Sequence, residues 1–148
     1  MSKKKIYLAS GWFCPLHLDQ VQNLEQIIEE CGYEVFSPRK ETCCLPNATQ
    51  KQRKETLNKN LVSILDCDII LVNTSNGDKG KIDTGTIFEA GYAYANNKPI
   101  IYFCENLKNT SQFNLMLAES AIAICVTYQE LYDALLEKEY KKWKGEIE

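Results

Sequence analysis

A chain of 148 residues, 45% of them hydrophobic, suffices for one globular domain that builds a core without disulfides or metal. Its 17 basic and 20 acidic residues leave a net charge of -3 and no basic stripe, which argues against binding through nucleic-acid phosphates. Seven cysteines without paired C-x-x-C spacing, no secretory signal sequence and no apolar run near the ~20 residues of a membrane span point to a soluble, cytoplasmic chain with reduced thiols.

Lys4 to Ser10 reads as an apolar strand, broken by Gly11-Trp12-Phe13-Cys14-Pro15, whose aromatics suggest a binding lip. From about Asp19 to Cys31, Val21, Leu24, Ile27 and Ile28 recur at helical spacing, and Gly32 stands where a C-terminal cap belongs. Tyr33 to Ser37 reads as a second strand, and residues 38 to 48, with two prolines and Cys43-Cys44, as an irregular loop placed to cover a site. Adjacent cysteines with the lone His17 lack zinc spacing, so no metal site is expected there. About Thr49 to Asp66 is a helix whose stripe of Leu57, Leu61, Ile64 and Leu65 should dock on a sheet. Asp68 to Asn73 is a short buried strand, followed by the polar, glycine-rich and mobile loop Ser75 to Lys81.

A helix starts at Asp83 and ends near Asn96-Asn97. Asp83 is its expected cap. Gly85 lies one turn before Glu89 on the same face, leaving room for a small ligand beside that carboxylate, and the helix N-terminus should keep Glu89 ionised. Pro99 to Phe103 and Ala121 to Val126 are the fourth and fifth strands, and a last helix runs from about Tyr128 to Trp143, its lysine-rich end complementing the helix dipole. Strands alternating with helices at this pace require crossovers. The expected fold is therefore α/β, a doubly wound, five-stranded parallel sheet with helices on both faces, flavodoxin-like. In such sheets ligands bind at the carboxyl ends of the strands, where Gly11 to Pro15, Ser75 to Asp83 and the loop before Asn114 all fall.

Three separated motifs carry a resemblance: Ile6-Tyr7-Leu8-Ala9-Ser10-Gly11-Trp12-Phe13, Asp83-x-Gly85-x-x-x-Glu89, and Phe113-Asn114-Leu115-Met116-Leu117. In order and separation, from residue 4 to about 127, they resemble the nucleoside 2-deoxyribosyltransferase family, so residues 1–148 read as a single domain of that kind. The resemblance implies that Glu89 is the nucleophile, that Tyr7 contacts it, and that Phe13, beside Gly11, lies against the nucleobase. It also implies that Asp83 accepts from a sugar hydroxyl, and that Asn114, with Met116 and Phe113, reaches the active site of a neighbouring subunit. The implied assembly is a homo-oligomer, a dimer or a hexamer built from dimers, with no cofactor. A carboxylate at Asp83 would repel a 5'-phosphate, which favours nucleosides over nucleotides. The bacterial members compared have an aspartate where this chain has Asn60. An amide cannot donate a carboxylic proton, but it can hydrogen-bond a base edge through its carbonyl or its NH2. Asp66 and Asp68 read as helix-end and strand-start residues and His17 as an exposed loop histidine.

The chemistry expected is transfer of 2-deoxyribose between nucleobases of 2'-deoxynucleosides through a covalent glycosyl ester on Glu89. Hydrolysis of a deoxynucleoside or deoxynucleotide on the same architecture, or a non-catalytic nucleoside sensor, are the alternatives.

Overall fold

A computed structural model describes residues 3–42, 45–108 and 111–148. Its centre is a parallel sheet of five strands, β1 (Lys5–Ala9), β2 (Glu34–Phe36), β3 (Ile69–Asn73), β4 (Ile100–Phe103) and β6 (Ala123–Cys125), in the order β2-β1-β3-β4-β6. The doubly wound sheet expected from the sequence is thus present. Between the strands run α1 (Pro15–Glu30), α2 (Pro38–Glu41), α3 (Gln50–Asp66), α4 (Thr84–Ala95), α5 (Leu115–Ser120) and α6 (Tyr128–Leu135). Strand residues alternate between the faces, as the two-residue period of a strand demands. Ile6, Leu8, Leu71, Ile101 and Phe103 pack under α1 and α6, whereas Tyr7, Ala9, Ile70, Val72 and Tyr102 pack against α3 and α4. Tyr7 is therefore turned to the face that carries Glu89.

Local chemistry sets several element ends. α1 closes on Gly32 at φ 90°, with Gly32 N–H bonding Glu29 and Tyr33 N–H bonding Ile28, a double bond-back that satisfies the last free carbonyls. Thr49 and Gln52 form a reciprocal capping box at the start of α3. α1 begins at Pro15, earlier than the apolar period alone suggested, because proline suits the first helical turn.

Four expectations need correction. Residues 38 to 41 are not irregular but form α2, held to α1 because the buried Glu25 carboxylate accepts from Ser37 Oγ at 2.7 Å, Arg39 Nε at 2.9 Å and Arg39 Nη2 at 2.6 Å. Leu65 is exposed, and Leu57 and Leu61 are only partly buried; only Ile64 of that stripe enters the core. The last helix stops at Leu135 rather than near Trp143, so no lysine-rich end lies on its dipole. There Glu137 adopts φ 59° and Lys138 N–H bonds back to the Asp133 carbonyl, which reverses the chain. Helix propensity gives way to tertiary partners. The Lys141 carbonyl accepts from Ile124 N–H, and β7 (Glu146–Ile147) pairs with β5 (Gln112–Phe113) while Trp143 packs at a tilt against Phe113, ring centroids 5.7 Å apart. Phe113 itself is buried between Tyr102 and Trp143, so it is a core residue and not the ligand contact implied by the resemblance.

No helix among the described residues is long and apolar enough to cross a membrane. The cysteines described, Cys14, Cys31, Cys67, Cys104 and Cys125, are all free thiols; Cys43-Cys44 lie outside the described residues.

Candidate active site

The strand order reverses between β1 and β3, and the chain leaves those two strands in opposite directions, opening a crevice beyond their carboxyl ends. A buried polar network holds the two ends together. Asn73 Nδ2 donates to Ser10 Oγ and Gln20 Oε1, both at 3.1 Å, and Asn73 Oδ1 accepts from Ser75 N–H at 3.1 Å. Gln20 in turn donates to Glu105 at 2.7 Å, and Glu105 N–H donates to Ser75 Oγ at 3.0 Å. A polar strand end at Asn73 is the only trace of this network in the sequence, because its partners come from four separate segments.

His17 belongs to the same region and corrects a further expectation. It is not an exposed loop residue but a buried residue of α1, with Nε2 2.8 Å from the Ser75 carbonyl, so Nε2 carries the donated proton. The 75–81 loop is thereby tied to α1 and folds on itself through Gly77 N–H to Lys81 O at 2.8 Å. Glycine is required at the crossing point. A Cβ on Gly11 would stand 2.9 Å from Asp83 Cβ and 3.0 Å from His17 Nδ1, and one on Gly77 3.0 Å from Cys14 Sγ. These close approaches bring the loop after β1 against the start of α4.

Asp83 is the cap of α4, as its residue type and position suggested: Oδ2 accepts from Thr86 N–H at 2.9 Å and from Thr86 Oγ1 at 2.8 Å. Its other oxygen has no partner among the described residues. Asp83, Gly85 and Glu89 line one cleft with Ser10, Trp12, Phe13, Pro38, Leu57, Asn60, Leu61 and Phe88. At about 250 Å³ the cleft is slightly below the ~300–1,000 Å³ usual for small-ligand sites. Phe13, 77% exposed, leans on Trp12 at its mouth. At its floor Tyr7, wholly buried, donates its hydroxyl to Glu89 Oε2.

Glu89 departs from the ionised state expected of it. Burial pushes its carboxyl up to about 8. The Asp83 cap already occupies the Thr86 amide at the helix start, and the cleft walls around Glu89 are aromatic and aliphatic. Desolvation therefore outweighs the Tyr7 donor and the helix dipole.

Of the other residues singled out from the sequence, Gly11 stands behind the cleft against Asp83, and Asn60 lines it. Asn114 and Met116 are not in this cleft of their own chain. Asn114 caps α5, its Oδ1 accepting from Met116 N–H at 2.9 Å and Leu117 N–H at 3.3 Å, while Met116 is 73% exposed beside a separate groove with Ile87, Gly91 and Tyr94. Asp68 accepts from Lys5 N–H at 2.8 Å and Asp66 pairs with Lys5 Nζ at 3.3 Å, structural roles at the amino ends of β1 and β3, as expected. Among the described residues, no cluster of three or more His, Cys, Asp or Glu side chains is arranged to hold a metal. Trp12 stands in the expected lip and Pro38 opens the segment expected to cover a site, whereas Leu57, Leu61 and Phe88 carry no binding signal in the sequence, since apolar residues at helical spacing read as ordinary core.

A glutamate carboxyl bonded by a tyrosine from the middle of β1 thus stands beside a second carboxyl group at a helix start. The nucleoside 2-deoxyribosyltransferase family model matches residues 6–136. The chain belongs to that family. Among solved structures, the 2-deoxyribosyltransferase of Bacillus psychrosaccharolyticus is 28% identical, with a TM-score of 0.79 over 94% of this chain and 98% of its own. The 2-desoxiribosyltransferase of Leishmania mexicana, 23% identical, has a TM-score of 0.54 over 80% of this chain and 73% of its own. The CMP N-glycosidase of Clostridium botulinum, 19% identical, has a TM-score of 0.57 over 89% and 98% of the two chains. These last two show the shared fold. A comparison with curated protein sequences gives no match. Membership of the family makes this chain a glycosyl-transferring enzyme of the nucleoside deoxyribosyltransferase type.

One consequence follows for Tyr7. The Tyr7→Phe protein should fold normally and lose roughly ten- to a hundredfold in kcat, the worth of a single hydrogen bond to a charged group. A steady-state assay beside a thermal melt checks this; unchanged kcat would mean that the phenol does not act on the Glu89 carboxylate.

Proposed function

We propose that this enzyme moves 2-deoxyribose between nucleobases, with Glu89 as the nucleophile and neither cofactor nor metal. The observation that carries the reading is the Tyr7–Glu89 bond at the floor of a cleft lined by aromatics and by Asp83. The Glu89 carboxylate attacks the anomeric carbon, and the bond to the base nitrogen breaks with its electron pair going to the base, which takes a proton from solvent. An acceptor base then attacks the same carbon through a ring nitrogen. The ester C–O bond breaks, the electron pair returns to Glu89, and the acceptor loses its ring proton. Two displacements retain the configuration. Phe13, Trp12, Leu57 and Leu61 offer the base an apolar slot, Asn60 its edge contact, and the unpartnered Asp83 oxygen an acceptor for a sugar hydroxyl.

The direct test supplies a 2'-deoxynucleoside with a second free base and separates the products by chromatography. The expected result is a new deoxynucleoside. Free deoxyribose with no new nucleoside would instead support hydrolysis, and equal turnover of 5'-monophosphates would remove Asp83 from the sugar site.

The small volume of the cleft agrees with a wall supplied by a second copy, the role we assign to Asn114 and Met116. Glu89→Ala and Asn114→Ala proteins should then each be inactive alone and recover activity when mixed. In a mixed dimer one site has both residues intact and the other has neither. Absence of recovery, with subunit exchange demonstrated, would confine Asn114 to capping α5.

A further inference from the structure

Among the described residues Asn60 is the one amide side chain lining the cleft, and an amide offers a base either a carbonyl acceptor or an NH2 donor, according to how it is turned. Thr42 decides which. Its Oγ1 lies 2.6 Å from Asn60 Oδ1 and 3.3 Å from the Pro38 carbonyl. A hydroxyl has one proton to give, and 2.6 Å is an O–H···O separation, short for an N–H donor. The proton therefore goes to Asn60 Oδ1. That leaves the Asn60 NH2, which no described residue accepts from, as the group turned to the cleft.

Thr42 is itself held. Its N–H donates to the Pro38 carbonyl at 2.9 Å, and α2 is fixed to α1 through the buried Glu25, which accepts from Ser37 and Arg39. If the amide turned, the hydroxyl would have to give its proton to the Pro38 carbonyl at 3.3 Å, a longer bond than the 2.6 Å one it makes to Asn60 Oδ1, so the donor orientation of the amide is favoured.

We infer that Thr42 is a specificity-determining positioning residue, which locks Asn60 as a donor so that the cleft favours nucleobases presenting a carbonyl oxygen over those presenting an amino group. This rests on the cleft being the nucleobase site of the proposed function. An amino group facing the locked NH2 would leave two donors opposed, whereas a keto oxygen pairs with it.

The experiment uses thymidine as a common donor and compares hypoxanthine with adenine, and uracil with cytosine, as competing acceptors. The wild-type chain should favour the keto member of each pair that it accepts. In Thr42→Val the amide is free to turn, and the keto-to-amino ratio of kcat/KM should fall by about tenfold, the effect of losing one discriminating hydrogen bond. Thr42→Ser should restore the wild-type ratio. Asn60→Asp presents acceptors only while its carboxylate is ionised, and in that form should shift preference toward adenine and cytosine. An unchanged ratio in Thr42→Val, or an equal loss for both members of a pair, would overturn the inference. Titrating the same free bases into the Glu89→Gln protein, with and without Thr42→Val, reads the ratio as binding. Failure of transfer in the wild-type chain is thereby distinguished from failure of Thr42 to set the preference.

Discussion

Glu89→Ala should reduce transfer by on the order of 10⁴-fold or more while leaving the fold intact, because no other described group that lines the cleft stands where a glycosyl ester could form. Asp83 is the nearest alternative, but one of its oxygens is committed to the Thr86 amide and hydroxyl at the helix start. Glu89→Gln should be as inactive, since an amide keeps the shape and loses the nucleophile. Intact-protein mass spectrometry should find one deoxyribosyl group on the wild-type chain when a deoxynucleoside is supplied without acceptor, and peptide mapping should place it on Glu89. Near wild-type turnover in Glu89→Ala would sink the covalent mechanism.

The second large effect concerns pH. With its carboxyl raised by burial from 4.5 to about 8, Glu89 carries a proton in the free enzyme at neutral pH. Only the ionised form attacks, so kcat/KM should climb about tenfold per pH unit and level off near 8. Tyr7→Phe should displace that limb to higher pH, because the lost phenol donor favours the anion.

Stability should move the other way. Below 4.5 the carboxyl is protonated in both folded and unfolded chains, so its contribution is fully present. Between 4.5 and about 8 the folded chain keeps a proton that the unfolded chain has released, and stability falls as pH rises. The shift corresponds at most to roughly 5 kcal/mol at 1.36 kcal/mol per unit, and because Glu89 is only partly buried we expect about half of that. The Glu89→Gln protein lacks this penalty. It should melt several degrees above wild type at pH 8 or higher, and the gap should narrow toward pH 5. A gap that does not depend on pH would show that Glu89 ionises as freely in the folded chain as in the unfolded one.

Much of this molecule is decided by local sequence. Short apolar runs such as Ile69 to Asn73 are too brief for helices and too apolar for exposed strands, and alternation with helices makes their sheet parallel. Asp83 caps α4 and Gly32 closes α1 because short-range geometry there admits few other residue types. The three motifs, read together, identified the family before any contact was known. The remainder depended on partners distant in the chain. α6 is short because Ile124 and Phe113 claim the segment after Leu135, pairings that no local propensity encodes. His17 is buried because Ser75 and the glycines at 11 and 77 close over it. Thr42 meets Asn60 only because Glu25 holds α2 in place. Glu89 is the clearest instance. Its position near a helix start argues for a free anion, but protonation answers to the solvent left around a group, and the walls that exclude that solvent come from the loop after β1, from α2 and from α3.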